Sequence, residues 1–176
     1  MSPFATFSLP PSLLVDEDQL QNLYRDLAAQ HHPDKGGERS TFDQINRAYQ
    51  TLKSPSKRLQ AYMEATNIEF DSRGAVSNHL MDLFMQVGSL LQNTDAFIRK
   101  KSSANSALAK ALLEPESMHL QDQLTLLIHS VESSLNTLTE TLSESPPPET
   151  LPQTFRDLSF LEKWHAQLQQ RYGALF

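Results

Sequence analysis

The 176-residue sequence has no cysteine. It therefore has no disulfide framework, no thiolate nucleophile and no cysteine ligands for zinc or an iron–sulfur cluster. Its glycines number only five, and neither the dinucleotide-binding nor the phosphate-loop glycine fingerprint occurs. No apolar run approaches the roughly 18–20 residues that cross a bilayer, so no membrane partner is expected. Basic residues are outnumbered, with a formal net charge of −6. Nucleic-acid binders need a basic patch, so that class is not expected either. Sustained two-residue alternation is missing, as are Asn-Gly and Asp-Gly hairpin turns, which leaves little room for strands. The opening Met1-Ser2-Pro3-Phe4 lacks the basic-then-apolar order of a signal peptide and the Arg/Ser richness of a transit peptide. The expected location is cytoplasmic.

What is present is helical. Asp16 reads as an N-cap with Gln19 as its capping-box partner. Leu20, Leu23, Tyr24, Leu27 and His31 follow at helical spacing. Pro33 should end that helix near His32, because a proline pushes the residue before it out of the α region. Lys35-Gly36-Gly37-Glu38 reads as a loop. Ser40 is the expected cap of a second helix carrying Phe42, Ile45, Ala48, Tyr49 and Leu52 and stopping near Lys53. A third segment spans Lys57–Ala65, and Asn67 to Gly74 reads as a boundary.

The remainder reads as a helical bundle. Leu80, Leu83, Phe84, Val87, Leu90 and Leu91 form one stripe. A weaker helix is expected from Asp95 to Leu113, broken at Pro115. Leu120, Leu124, Leu127, Val131, Leu135, Leu138 and Leu142 hold a stripe for three heptads. The stiff, proline-rich Ser143–Thr150 then leads to a last helix presenting Phe155, Leu158, Leu161, His165, Leu168 and Tyr172. Sparse glycine and this spacing predict antiparallel packing. Residues 1–74 hold eight basic and ten acidic residues, and 75–176 hold seven and eleven. Both parts carry apolar periodicity, so neither is a disordered charge block.

The most informative residues are His32-Pro33-Asp34-Lys35, set between two amphipathic helices. Proline stops the helix and stiffens the turn, so its neighbours project in a fixed direction. Asp34 offers an ionised acceptor suited to a partner's arginine. On local sequence the alternative is an ordinary helix–proline–helix turn, with Asp34 bonding its own backbone. Catalysis has less support, since no nucleophile, metal set or phosphate loop completes a site. His79, His119, His129 and His165 lack the i, i+4 spacing of metal ligands, and no cofactor is expected.

The tripeptide, followed by Phe42-x-x-Ile45-Asn46-x-Ala48-Tyr49-x-x-Leu52, resembles a J domain of the DnaJ family. That resemblance implies an activity. J domains bind an ATP-bound chaperone of the seventy-kilodalton heat-shock class and speed its ATP hydrolysis. The implied chaperone-binding residues are His32, Pro33, Asp34, Lys35 and Arg25. Asp26, Ala29 and Gln30 depart from the pattern, standing where a basic or larger residue is common.

The whole chain resembles the HscB family of iron–sulfur cluster co-chaperones. The supporting residues are Phe4-Ala5-Thr6-Phe7-Ser8-Leu9-Pro10, Lys57-Arg58-Leu59-Gln60-Ala61-Tyr62, Leu80-Met81-Asp82 and Leu158-Ser159-Phe160-Leu161-Glu162-Lys163. The resemblance implies an all-α fold, with a J domain over 1–72 and a three-helix bundle over 73–176. It implies two partners, a DnaK/HscA-type ATPase chaperone and an IscU-type scaffold protein. The implied client-binding residues are Leu80, Met81, Phe84, Met85 and Phe160. Helical spacing places Phe160 and Trp164 off the main stripe of their helix, as candidates for an exposed apolar patch. Met85, Gly88 and Gln92 stand where the family has acidic residues, so the client electrostatics differ. The missing cysteine pairs and presequence of eukaryotic relatives favour a bacterial protein. A J-domain adaptor with a different client is the alternative. Asp34-Lys35-Gly36-Gly37 also resembles the loop of polyomavirus T antigens, whose cysteine-bearing regions are absent here.

Overall fold

A computed structural model of the chain describes residues 2–71, 73–142 and 147–176. Among the described residues every regular element is helical: α1 (Pro3–Thr6), α2 (Glu17–Gln30), α3 (Arg39–Lys53), α4 (Pro55–Ala65), α5 (Met81–Ser102), α6 (Ala107–Glu140) and α7 (Leu151–Ala174), with short 3-10 turns at Pro33–Lys35, Asn78–Leu80 and Pro148–Thr150. The fold is all-α, as the sequence predicts. Residues 143–146 of the proline-rich segment lie outside the described residues. The chain divides into two units, Met1–Gly74 with Thr139–Arg156, and Ala75–Leu138 with Asp157–Phe176.

Local chemistry sets most helix ends in the first unit. The Asp16 carboxylate accepts the Gln19 amide N–H at 2.9 Å, which caps α2 as its sequence predicts. Ser54 Oγ accepts the Lys57 N–H at 3.3 Å, and Pro55 occupies the first turn of α4, where its missing N–H costs nothing. At α3 the sequence expectation is corrected. The cap position is Glu38, without a side-chain cap bond, and Ser40 lies inside the helix. The helix forms anyway because its apolar face is well paired, and packing outweighs a cap worth about 1 kcal/mol.

Helix α3 packs against α1, α2 and α4. Its Ile45, Ala48 and Leu52 join Phe4, Phe7, Leu20 and Ala61 in one core. Full burial of a side chain such as Ile45 or Leu52 contributes about 1.5–3 kcal/mol. The rings of Tyr24 and Tyr49 stack at 4.2 Å, and the Tyr24 hydroxyl donates to Asn46 Oδ1 at 2.8 Å. These contacts fix α2 against α3 next to the turn that joins them. Arg58 is buried, and its guanidinium donates to the carbonyls of Leu13 at 2.9 Å and Leu52 at 2.8 Å. The second bond serves a carbonyl at the end of α3 that lacks an intrahelical partner.

The second unit is a bundle of α5, α6 and α7. Val87, Leu90 and Phe97 meet Leu120, Leu124, Leu127, Ile128 and Val131 of α6 and Leu161, Trp164 and Leu168 of α7. The Asp157 carboxylate is buried and accepts the Ser77 N–H at 2.8 Å and the Ser77 hydroxyl at 2.5 Å. It holds the segment that enters α5. Arg171 donates to Asp95 at 2.9 and 3.3 Å, and His165 Nε2 lies 2.8 Å from Glu132.

Two helix boundaries differ from expectation. The expected helix starting at Asp95 is the continuation of α5, which runs unbroken to Ser102. The true break is the serine-rich stretch 103–106, where Ser106 Oγ accepts the Ala109 N–H at 3.0 Å. Pro115 does not end a helix but lies inside α6. Ala111, Leu112, Glu114, Pro115 and Glu116 are exposed. The carbonyl that loses its donor at Pro115 is thus within reach of water, which lowers the usual cost.

Candidate functional site

Helix α2 ends at Gln30, and His32, Pro33 and Asp34 form the tight turn before α3. His32 caps the 3-10 turn Pro33–Lys35, and its Nδ1 accepts the Asp34 amide N–H at 3.2 Å. The neutral ring therefore carries its proton on Nε2. The amides of Lys35 and Gly37 both donate to the His32 carbonyl, at 2.9 and 3.1 Å. Gly36 closes the turn at φ +84°, a region that favours glycine. A Cβ on Gly37 would sit 2.2 Å from the His31 carbonyl oxygen, so only glycine fits there. The His32 ring stands edge-on to Phe42 of α3 at 5.3 Å.

This scaffolding turns Asp34 outward. Its side chain is 89% exposed and meets only the edge of His32, with Nδ1 and Oδ2 3.6 Å apart. The ordinary-turn alternative requires the Asp34 carboxylate to bond local backbone, and among the described contacts it does not. Arg25 and Lys35 are exposed. Together with Tyr24, Ala28, Ala29, His32, Asp34 and Phe42 they line a shallow hollow of about 550 Å³. The turn thus gathers one free carboxylate, two cations and a small-residue floor. The chemistry offered is recognition by charge-assisted hydrogen bonds. Among the described residues no cluster of histidines and carboxylates could hold a metal ion. Likewise, no described helix is long and apolar enough to cross a membrane. Sequence reasoning did not single out Phe42 as a support for His32, although its place in the motif quoted above marked it.

The expected client residues lie in the second unit. Met81, Phe84 and Met85 are exposed on α5, at 38%, 42% and 64%. Leu80 instead belongs to the bundle core, with its side chain closed to solvent. Phe160 is half-buried against that core. Trp164 corrects an expectation, since it is buried rather than exposed. The indole lies 5.7 Å from the Phe84 ring and 5.8 Å from the Phe160 ring. It is the floor that joins Phe84 and Phe160 into one aromatic surface. The Glu132 carboxyl is held below its ordinary value of 4.5 by the hydrogen bond from His165, with His129 adding to the effect.

Comparison with known proteins agrees with these features. Residues 3–62 match the family model of the DnaJ domain. The co-chaperone protein HscB homologues of Neisseria meningitidis serogroup C strain FAM18 and serogroup B strain MC58 are each 36% identical over 78 residues, covering 39% of this chain and 47% of theirs. The chain spans about half the length of the curated relatives it matches. The solved structure of the chaperone HscB from Vibrio cholerae matches with a TM-score of 0.59 at 24% identity, covering 100% of both chains. That likeness speaks to the fold. Residues 3–62 thus match a DnaJ domain with its loop intact between α2 and α3, and part of the chain is similar to the HscB co-chaperones.

Proposed function

We propose that this protein is a co-chaperone that stimulates ATP hydrolysis by a chaperone of the seventy-kilodalton heat-shock class, of DnaK/HscA type. The observation that carries the proposal is Asp34, held outward on the turn and 89% exposed, with no hydrogen bond to its carboxylate among the described residues. A fixed acceptor of this kind pairs with a partner's arginine at little entropic cost. Arg25 and Lys35 flank it and add electrostatic steering toward an acidic surface.

The second unit is proposed to hold an IscU-type scaffold protein and deliver it to the chaperone. This reading rests on the relation to HscB and on the exposed Met81, Phe84 and Met85 beside half-buried Phe160. In it, residues 1–72 act as the J domain and 73–176 as the client-binding bundle. Leu80 would serve by supporting the face from beneath.

The test is the single-turnover ATPase rate of the purified chaperone with this chain, with and without an IscU-type scaffold. Stimulation by the chain alone, raised further by the scaffold, supports both halves. Stimulation that the scaffold leaves unchanged points to a J-domain adaptor with a different client. Failure to stimulate contradicts the co-chaperone reading.

A further inference from the structure

The bundle unit, Ala75–Leu138 with Asp157–Phe176, has a strongly uneven charge distribution. It holds six Lys and Arg, and five of them (Arg99, Lys100, Lys101, Lys110 and Arg171) lie in the last turn of α5, the start of α6 and the end of α7. These three helix ends meet. Lys100 pairs with Glu116 at 2.6 Å, Arg171 pairs with Asp95 at 2.9 Å, and the Lys101 ammonium donates to the Leu175 carbonyl. Only three of the unit's eight acidic residues, Asp95, Glu114 and Glu116, are there, so this end is positive. The rest of the unit sets Lys163 against five acidic residues.

The same end carries the three most exposed large apolar side chains among the described residues. They are Leu108 at 71%, Leu112 at 72% and Phe176 at 79%. Leu108 and Leu112 are one turn apart on α6, on the side away from Leu113, Ser117 and Leu120, which face the core. The fold gives no reason for these choices. Basic residues at the end of α5 offset its dipole, but Lys110 stands near the start of α6, where the dipole disfavours a cation. Arg99 and Lys110 make no ion pair among the described residues.

We propose that this end of the bundle rests on an anionic lipid surface. Arg99 and Lys110 sit at the headgroup phosphates, and Leu108 and Leu112 reach the boundary of the acyl chains. Protruding apolar side chains among cations suit a deformable surface, which accepts them without a matching pocket. Each cation near such a surface adds attraction, and two leucines alone bind weakly, so both kinds of residue are needed. No described helix is long and apolar enough to cross a membrane, and a contact with the surface needs none. The proposal is independent of the chaperone and scaffold partners proposed above.

Flotation of the full chain with lipid vesicles tests it. One set is phosphatidylcholine alone, and the other carries about 30 mole per cent phosphatidylglycerol. The variants are Leu108→Gln with Leu112→Gln, Arg99→Gln with Lys110→Gln, and Phe84→Ala on the far-removed middle of α5. All the altered side chains are exposed, and unchanged urea midpoints check the fold. The expected wild-type bound fraction is at least fivefold higher on the anionic vesicles, and falls between about 0.1 and 0.5 M salt. Each double variant should lower it at least threefold, and Phe84→Ala should leave it unchanged. Equal binding to both vesicles, or double variants that bind as wild type does, would overturn the proposal. So would a loss in Phe84→Ala as large as in the double variants. Retention on immobilised polyglutamate without binding to either vesicle also overturns it, and assigns this end to an acidic protein instead.

Discussion

Nδ1 of His32 accepts the backbone N–H of Asp34 at 3.2 Å. This single bond links two residues of the loop and decides how the second is presented. With the ring turned onto the amide and braced by Phe42, the Asp34 side chain is left facing water. His32 thus positions the acceptor, and Pro33 between them locks the backbone.

Replacing His32 with alanine removes that acceptor and the ring contact. The unit should lose about 0.5–1 kcal/mol, as for an N-cap deletion, read as a lower urea midpoint. Stimulation of the chaperone ATPase should fall at least tenfold. His32→Asn keeps a short side-chain acceptor and should restore most of the stability. Equal stability of the alanine and asparagine variants would contradict the capping role.

Arg58 should matter to folding more than its charge suggests. Arg58→Met keeps much of the volume but leaves the Leu13 and Leu52 carbonyls without their donor. The expected cost is about 2–4 kcal/mol, measured by chemical denaturation followed at the first unit. Arg58→Lys should recover little, because an ammonium lacks the fork that reaches both carbonyls. A loss below about 0.5 kcal/mol in Arg58→Met would contradict this account.

The pH dependence of the bundle follows from Glu132. Its carboxyl is lowered below 4.5, chiefly by the hydrogen bond from His165. The unfolded chain binds this proton more tightly than the folded one. The contribution is therefore present above the ordinary carboxylate range and is lost as pH falls through the lowered folded value. The side chain is 40% exposed, so screening limits the gain to about 0.5 kcal/mol. Glu132→Gln should lower the urea midpoint slightly at neutral pH. The difference should persist down to the ordinary value of 4.5 and close below it. A gap that widens in acid would reverse the assigned sign.

Much of this architecture can be read from residue order, and the exceptions have physical causes. The Asp16 cap, the stop at Pro33 and the apolar face of α3 are local features, and each stands where sequence places it. α1 is four residues long, too short for any period to show. Pro115 misleads because its penalty depends on whether water reaches the freed carbonyl, which sequence does not state. Trp164 misleads because the stripe expected on α7 is narrower than the face that is buried. Leu158, Leu161 and Leu168 are buried as that stripe predicts, and the core also takes in Trp164 and Leu175. His165 then falls at the rim, where it pairs with Glu132. The candidate loop was legible as a motif. Its internal bonding was not, because a tripeptide does not say which atom of His32 accepts from which amide.

The central claim is that an outward carboxylate at Asp34 drives the partner chaperone's ATP hydrolysis. The most direct measurement is single-turnover ATP hydrolysis by that chaperone with wild-type chain and with Asp34→Asn. Asparagine preserves shape and the amide bond to His32, so stability should stay within about 0.5 kcal/mol. The account predicts that the Asp34→Asn chain is folded, with its helical circular dichroism unchanged, and leaves the chaperone at its basal rate. Full stimulation by that variant would contradict it.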